Sequence, residues 1–309
     1  MKRTIGRTTL SVNPLCLGGN VFGWTIDEPT SFAVLDAFVA GGGDFIDTAD
    51  VYSAWAPGNQ GGESEAILGN WLKARGHRDR VVIATKVGNK LPYGQGLRAA
   101  HIARAVEESL RRLQTDVIDL YQAHIDDDEA PLEEALRAFD DLIRAGKVRA
   151  IGASNYTAAR LREALAVSAA HGLPRYECLQ PRYNAIDRDF EAELGPLCLT
   201  EEVGVIPYFA LAAGFLTGKY QPGAALPDTA RAAGVQRNYF NDRGFAMLAR
   251  VEAAAREHAV TPGQVAVAWL IAQPGITAPI ASATSVAQVE QLLTAMRLAL
   301  PADLLAEHA

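Results

Sequence analysis

Four side chains in this sequence could move a proton to or from a substrate oxygen: Asp47, Tyr52, Lys86 and His124. Tyr52 stands five residues after Asp47 in the stretch FIDTADVY, which begins at Phe45. A phenol titrates near pH ~10, high for an acid at neutral pH. A neighbouring ammonium favours the phenolate and is expected to lower that value. Lys86 could supply the ammonium, Asp47 could hold Lys86, and His124 could orient the substrate oxygen or join the proton path. Singly, each residue has an ordinary reading: a helix cap, a core-edge aromatic, a surface charge, a core histidine. Their positions relative to the strands favour a shared purpose.

Each follows or ends an apolar run that reads as a strand. Asp44 to Asp47 comes after the glycines Gly41 to Gly43, which close a helix; VVIATK runs from Val81 to Lys86, and VIDLYQAH from Val117 to His124. In a parallel barrel the carboxyl ends of all strands open onto one face, so these groups can converge. Further strands are expected over Pro14–Leu17, Val148–Ser154, Glu177–Asn184, Gly204–Leu211 and Ile276–Ser282. Helices are expected over Pro29–Ala40, Glu63–Arg75, Arg98–Leu113, Leu132–Ala145, Thr157–Ala170 and Ser285–Ala295, with others starting near Asp242 and Thr261. Residues 2 to 12 alternate around Gly6 and read as a hairpin, and residues after Pro301 as a short tail. Residues 212 to 238 lack periodicity and read as a long loop, a feature often tied to function. Strand and helix alternate without a linker, so the expected architecture is α/β, a (β/α)8 TIM barrel in a single domain over residues 1–309.

The four residues, with LYQAH at Leu120, GASNY at Gly152, LQPRYN at Leu179 and LAAGFLTGKY at Leu211, resemble the aldo-keto reductase family in order along nearly the whole chain. The likeness extends to members that act as potassium-channel β-subunits. It implies a hydride from a nicotinamide cofactor, since no side chain supplies one. It implies that Ser154, Asn155 and Gln180 hold the carboxamide and that Tyr208 stacks beneath the nicotinamide ring. Phe209, Leu211, Gly214, Leu216, Gly218, Lys219 and Arg231 would meet the pyrophosphate under the long loop after the seventh barrel strand. Ser282, Thr284 and Gln288 would meet the adenosine end. The hairpin would plug the bottom of the barrel. This chain departs from the family pattern at Phe209 and Ala210, where Ser-Pro is usual, and at Ser282, Gln291 and Leu292. Family habit selects NADPH, while the absence of a strong local cation for a 2′-phosphate leaves NADH open. No Gly-x-Gly-x-x-Gly follows the first strand and no Tyr-x-x-x-Lys occurs, so neither a Rossmann nor a short-chain dehydrogenase arrangement is supported.

Trp24, Trp55 and Tyr93 could wall the substrate pocket, a wall that suits sugars, aryl aldehydes and ketosteroids alike. The chain has 309 residues, 49% of them hydrophobic, with 29 Lys and Arg against 36 Asp and Glu, a formal net charge of −7. That balance argues against a nucleic-acid surface. No apolar run suits a signal peptide or a membrane span. Cys16, Cys178 and Cys198 are few and far apart, as expected of thiols in a reducing cytoplasm. The six histidines, His77, His101, His124, His171, His258 and His308, include no close pair, so no metal site is expected. The acidic run Asp126 to Glu129 reads as a helix start. The expected activity is reduction of an aldehyde or ketone, a small-molecule carbonyl, to an alcohol. A sugar or polyol dehydrogenase running the other way, and a redox-sensing regulatory subunit, remain open on the same residues. The oligomeric state is not legible.

Overall fold

The computed structural model describes residues 1–305; the end of the expected tail, residues 306–309 with His308, lies outside the described residues. A hairpin comes first: β1 (Arg3–Thr4) pairs antiparallel with β2 (Ser11–Val12). Eight parallel strands follow: β3 (Cys16–Gly18), β4 (Phe45–Asp47), β5 (Val82–Val87), β6 (Ile118–Ala123), β7 (Val148–Ser154), β8 (Tyr176–Gln180), β9 (Gly204–Val205) and β10 (Ile280–Ala281). They lie side by side in the order β10-β3-β4-β5-β6-β7-β8-β9. A parallel bridge from Val205 to Ile276 and the bond from Thr277 N–H to Val205 O, 2.7 Å, curl the sheet into a barrel.

Helices cover the outside: α1 (Glu28–Ala40), α2 (Glu63–Arg75), α3 (Ala99–Leu113), α4 (Leu132–Arg144), α5 (Ala158–His171), α6 (Leu194–Thr200), α7 (Ala232–Tyr239), α8 (Asp242–Glu257), α9 (Pro262–Ala272) and α10 (Val286–Arg297). Their starts follow local chemistry. Asp27 accepts from Thr30 N–H ahead of α1, and Thr261 forms a reciprocal box with Gln264 ahead of α9. α3 turns Ile102, Ala105, Val106, Leu110 and Leu113 inward at helical spacing.

Side chains alternate across a strand, so every second residue points into the barrel. Cys16, Phe45, Ala84, Leu120, Ala150, Cys178, Ile206 and Ile280 form one buried apolar layer with Ile5, Leu10 and Val12 of the hairpin. The hairpin therefore closes the amino-terminal end of the barrel. Its turn is tight: Gly6 has φ +53°, and a Cβ there would lie 2.3 Å from Glu177 O. Two residues further along the strands the inward positions become polar: Asp47, Lys86, Gln122, Gln180, Tyr208 and Ser282. That change of layer creates the site.

Several boundaries differ from the sequence expectation. The sixth, seventh and eighth barrel strands are shorter, because Pro181, Pro207 and Pro279 lack the N–H that a ladder needs. The long loop is not wholly irregular: it holds a 3-10 segment, Ala212–Thr217, and most of α7. The acidic run does not cap α4, whose N-cap is Pro131. Asp126 instead pairs with Arg160 at 2.9 Å, and Asp127 accepts from Leu97 N–H at 2.7 Å. Among the described residues no helix is long and apolar enough to cross a membrane, and no group of three or more His, Cys, Asp or Glu side chains is placed to hold a metal ion.

Candidate active site

The parallel register puts Gly18 beside Asp47, Asp47 beside Ala84, and Lys86 beside Gln122. From β4 and β5, Asp47 and Lys86 point into the barrel and are fully buried. Lys86 Nζ lies 2.6 Å from Asp47 Oδ2, 2.8 Å from Thr48 O and 2.8 Å from Tyr52 Oη. The Tyr52 hydroxyl donates to Asp47 Oδ2 at 3.2 Å. Asp47 Oδ1 is held from the other side by Gln180 Nε2 at 2.9 Å and Gln122 Nε2 at 3.3 Å. His124, one residue beyond β6, meets the Tyr52 ring nearly edge-on with centroids 5.9 Å apart. The four residues singled out in the sequence are thus brought together.

Electrostatics depart from the sequence expectation at Tyr52. Its pKa is raised well above the usual phenol value, first by burial and then by the Asp47 carboxylate. Lys86 does not reverse this, because its charge is matched by Asp47 at closer range. The phenol is therefore a protonated donor at neutral pH. The His124 pKa is pushed well below its usual value by burial and by the Lys86 ammonium, so the imidazole is neutral. A neutral imidazole can still donate one hydrogen bond to a carbonyl oxygen.

Tyr52 and His124 face a cavity of about 1070 Å³ at the carboxyl ends of the strands. That is at the upper end of the roughly 300–1,000 Å³ usual for small-molecule and cofactor sites. Ser154, Asn155, Gln180 and Tyr208 line it. Asn155 ties three strand ends: its amide donates to His124 O at 2.9 Å, and its Oδ1 accepts from Tyr208 Oη at 2.9 Å. Ser154 Oγ donates to Gln180 O at 2.8 Å. Phe209, Leu211, Gly214, Lys219 and Arg231 also line the cavity. The chain turns sharply here, with positive φ at Phe209, Ala212, Ala213 and Gly214. For non-glycine residues that conformation is strained, and strain of this kind gathers at functional segments. Ser282, Thr284 and Gln288 line the far end. Ser282 Oγ donates to Asn20 Oδ1 at 2.5 Å, and Thr284 N–H to Gln288 Oε1 at 2.8 Å.

Three expected site residues stand elsewhere. Tyr93 does not line the cavity; its ring packs on His101 and under Arg104 of α3, because the loop after β5 folds back on that helix. Leu216 is buried in the outer core, and Gly218 shapes the end of the 3-10 segment against Pro262. Trp24 and Trp55 do line the mouth, edge-on to each other at 5.5 Å. Two residues of the site were not singled out from sequence. Gln122 precedes His124 by two on the same strand face, a signal that period-two reading offers. Asn20, within the glycine-rich GGNVFGW stretch, had no such signal beyond its neighbours.

The donor set suits a dinucleotide. Side-chain amides and hydroxyls match a carboxamide, which both donates and accepts. Lys219 and Arg231 are the only Lys or Arg side chains among the described residues lining the cavity. The Lys219 pKa is lowered by burial and then by the Arg231 charge, an effect that an anion in the cavity would offset.

The model of the Aldo/keto reductase family matches residues 14–308. The chain is 35% identical to the uncharacterized oxidoreductase YrpG of Bacillus subtilis (strain 168), over 97% of this chain and 92% of YrpG. It is 34% identical to protein tas of Escherichia coli (strain K12), over 98% of this chain and 95% of tas. It is 32% identical to the norsolorinic acid reductase stcV of Emericella nidulans, over 93% of this chain and 75% of stcV. With the family model spanning nearly its whole length and the barrel and strand-end cluster in place, the chain belongs to the aldo/keto reductase family, oxidoreductases that act on carbonyl and CH–OH groups.

Proposed function

We propose that this chain, working as one barrel domain in a reducing cytoplasm, reduces an aldehyde or ketone to an alcohol with NADPH and with Tyr52 as the proton donor. The observation that carries the reading is the triangle of Tyr52 Oη, Lys86 Nζ and Asp47 Oδ2, within 2.6 to 3.2 Å of one another, at the floor of a cavity with room for a dinucleotide. The nicotinamide, when bound, supplies the hydride that the protein lacks. Ser154 and Asn155 hold the carboxamide, and Tyr208 flanks the ring. Gln180 keeps its place at the cavity wall while its amide steadies Asp47. Leu211 and Gly214 shape the wall along the pyrophosphate, and Lys219 offsets its charge.

Tyr52 gives its proton to the substrate oxygen as negative charge develops there. An alkoxide is a stronger base than a phenolate, so the transfer runs downhill even with a raised phenol pKa. Lys86 then stabilises the phenolate at 2.8 Å, and Asp47 keeps Lys86 in place. His124 hydrogen-bonds the carbonyl oxygen as a neutral donor. Donors aimed at charge that exists only in the transition state lower the barrier without tightening the ground state.

The adenosine end meets Ser282, Thr284 and Gln288, and no Lys or Arg of the described residues lines the cavity there. Discrimination between NADPH and NADH is therefore expected to be weak, less than about tenfold in kcat/KM, because a 2′-phosphate finds no charge partner. The test is a panel of aldehydes and ketones followed by nicotinamide absorbance with each reduced cofactor. Turnover of at least one carbonyl supports the reading. Turnover only of alcohols with oxidised cofactor would favour a dehydrogenase. Cofactor binding without turnover of any carbonyl or alcohol would favour a sensing subunit.

A further inference from the structure

Behind Tyr52, on the outer face of the sheet, the β4–α2 connection meets the loop after β5. Thr85 and Tyr121 stand side by side in the strand register, each one residue before an inward side chain, so both point out of the barrel. There Thr85 Oγ1 donates to Glu65 Oε1 of α2 at 2.5 Å, and Arg112 Nε of α3 donates to Glu65 Oε2 at 2.7 Å. Both oxygens of Glu65 are thus satisfied. Those of its neighbours are not. Asp50 is fully buried, and neither of its carboxyl oxygens has a hydrogen-bond partner of normal geometry. The hydroxyls of Tyr93 and Tyr121 are closed from solvent in the same condition. Burial first and the Asp50 charge second raise the pKa of both phenols, so the three groups lie close together.

Four buried oxygens from three segments therefore neither bond one another nor reach bulk water. Buried polar groups are paired in native proteins, and across a gap too wide for a direct bond the natural partner is an ordered water. A carboxyl and two phenols offer both donors and acceptors, and a buried water makes about three hydrogen bonds. The position is also informative. Asp50 N–H bonds to Lys86 O at 3.3 Å, and Tyr52 N–H to Ala49 O at 3.2 Å. Whatever fixes Asp50 fixes the turn carrying Tyr52 against the strand carrying Lys86.

We propose that Asp50, Tyr93 and Tyr121 enclose a buried water site that binds the β4–α2 connection to the sheet, making Asp50 a positioning residue for Tyr52. The water site stands on the geometry; its kinetic effect rests on the carbonyl-reductase reading.

Two measurements test this. A crystal structure of the NADPH-bound wild type, at a resolution that orders internal water, should show water within hydrogen-bond distance of Asp50 and of at least one of the two phenols. Steady-state kinetics then compare wild type with Asp50→Asn, Asp50→Leu and Tyr121→Phe, below the melting transition of each. Asn keeps a donor and an acceptor, so kcat should stay within about threefold of wild type. Leu is of similar size but has no polar atom. Its kcat should fall at least about tenfold, while KM for the aldehyde and NADPH affinity move by less than about threefold. Tyr121→Phe removes one partner of the water and should lower kcat by roughly threefold or more. Should Asp50→Leu not fold, Tyr121→Phe decides. A cation or no water at the site, wild-type kcat in Tyr121→Phe or in folded Asp50→Leu, or equal losses in the Asn and Leu variants would each overturn the inference. If wild type reduced no carbonyl with either cofactor, the carbonyl-reductase reading would fall, while the crystal structure would still decide the water site.

Discussion

Asp47 accepts hydrogen bonds from Lys86, Tyr52, Gln180 and Gln122 at once, and is closed from solvent. That crowding fixes the protonation states around it. With Tyr52 raised, the phenol keeps its proton through neutral pH and loses it only above its usual value of ~10. With His124 lowered, the imidazole takes up a proton only below its usual value of ~6.5. Reduction needs a protonated phenol and, in the proposed mechanism, a neutral imidazole. Its kcat/KM should therefore stay level between those limits, with the acid fall below pH ~6.5 and the alkaline fall above ~10. Steady-state rates across pH check this; an alkaline fall beginning near pH ~8 would mean that Lys86 lowers the phenol pKa after all.

At the scale of elements, the connection from β4 to α2 holds Tyr52 through its own framework. Ser53 Oγ donates to Phe22 O at 2.7 Å, and Ser64 Oγ donates to Gly19 O at 2.8 Å. Asp50 in the same connection is fully buried, and neither carboxyl oxygen finds a hydrogen-bond partner of normal geometry. Burial, then the nearby Glu65 charge, raises its pKa well above the carboxylate range. Such an acid binds a proton in the folded state that the unfolded chain gives up above pH ~4, so it lowers stability as pH rises. Asp50→Asn should remove that penalty and raise the melting temperature more at pH 7 than at pH 4; an equal shift at both would show that Asp50 is ionised in the fold. Legibility from sequence varied element by element for physical reasons. β7 is legible to the residue, because Gly146 and Asn155 bracket a run of small and apolar residues interrupted only by the exposed Arg149 before Ser154 ends it. α7 was hidden, because AAGVQRNY is short, carries a glycine and buries only Val235 and Tyr239. Tyr93 was misplaced because loop composition does not say which way a loop folds. Asp47, Tyr52, Lys86 and His124 were legible because barrel topology turns separate strand ends into neighbours.

For the whole molecule, the cavity draws its walls from the carboxyl-end segments of β3, β4 and β6 through β10 and from the 3-10 segment, so its ligand bridges parts of the chain that are far apart in sequence. A dinucleotide that binds only the closed barrel should stabilise all of it. At about 100-fold over Kd, NADPH should add roughly 2.7 kcal/mol and raise the melting temperature by roughly 5–10 °C. No shift with either NADPH or NADH would mean that the cavity takes another ligand. Cavity and chemistry separate most cleanly in Tyr52→Phe, which deletes one hydroxyl and leaves the ring against Trp55 and His124. NADPH affinity, measured by fluorescence titration, should stay within about threefold of wild type, while carbonyl turnover by the same preparation should drop by roughly 10²–10⁴-fold. Wild-type turnover in that variant would take the proton-donor role away from Tyr52.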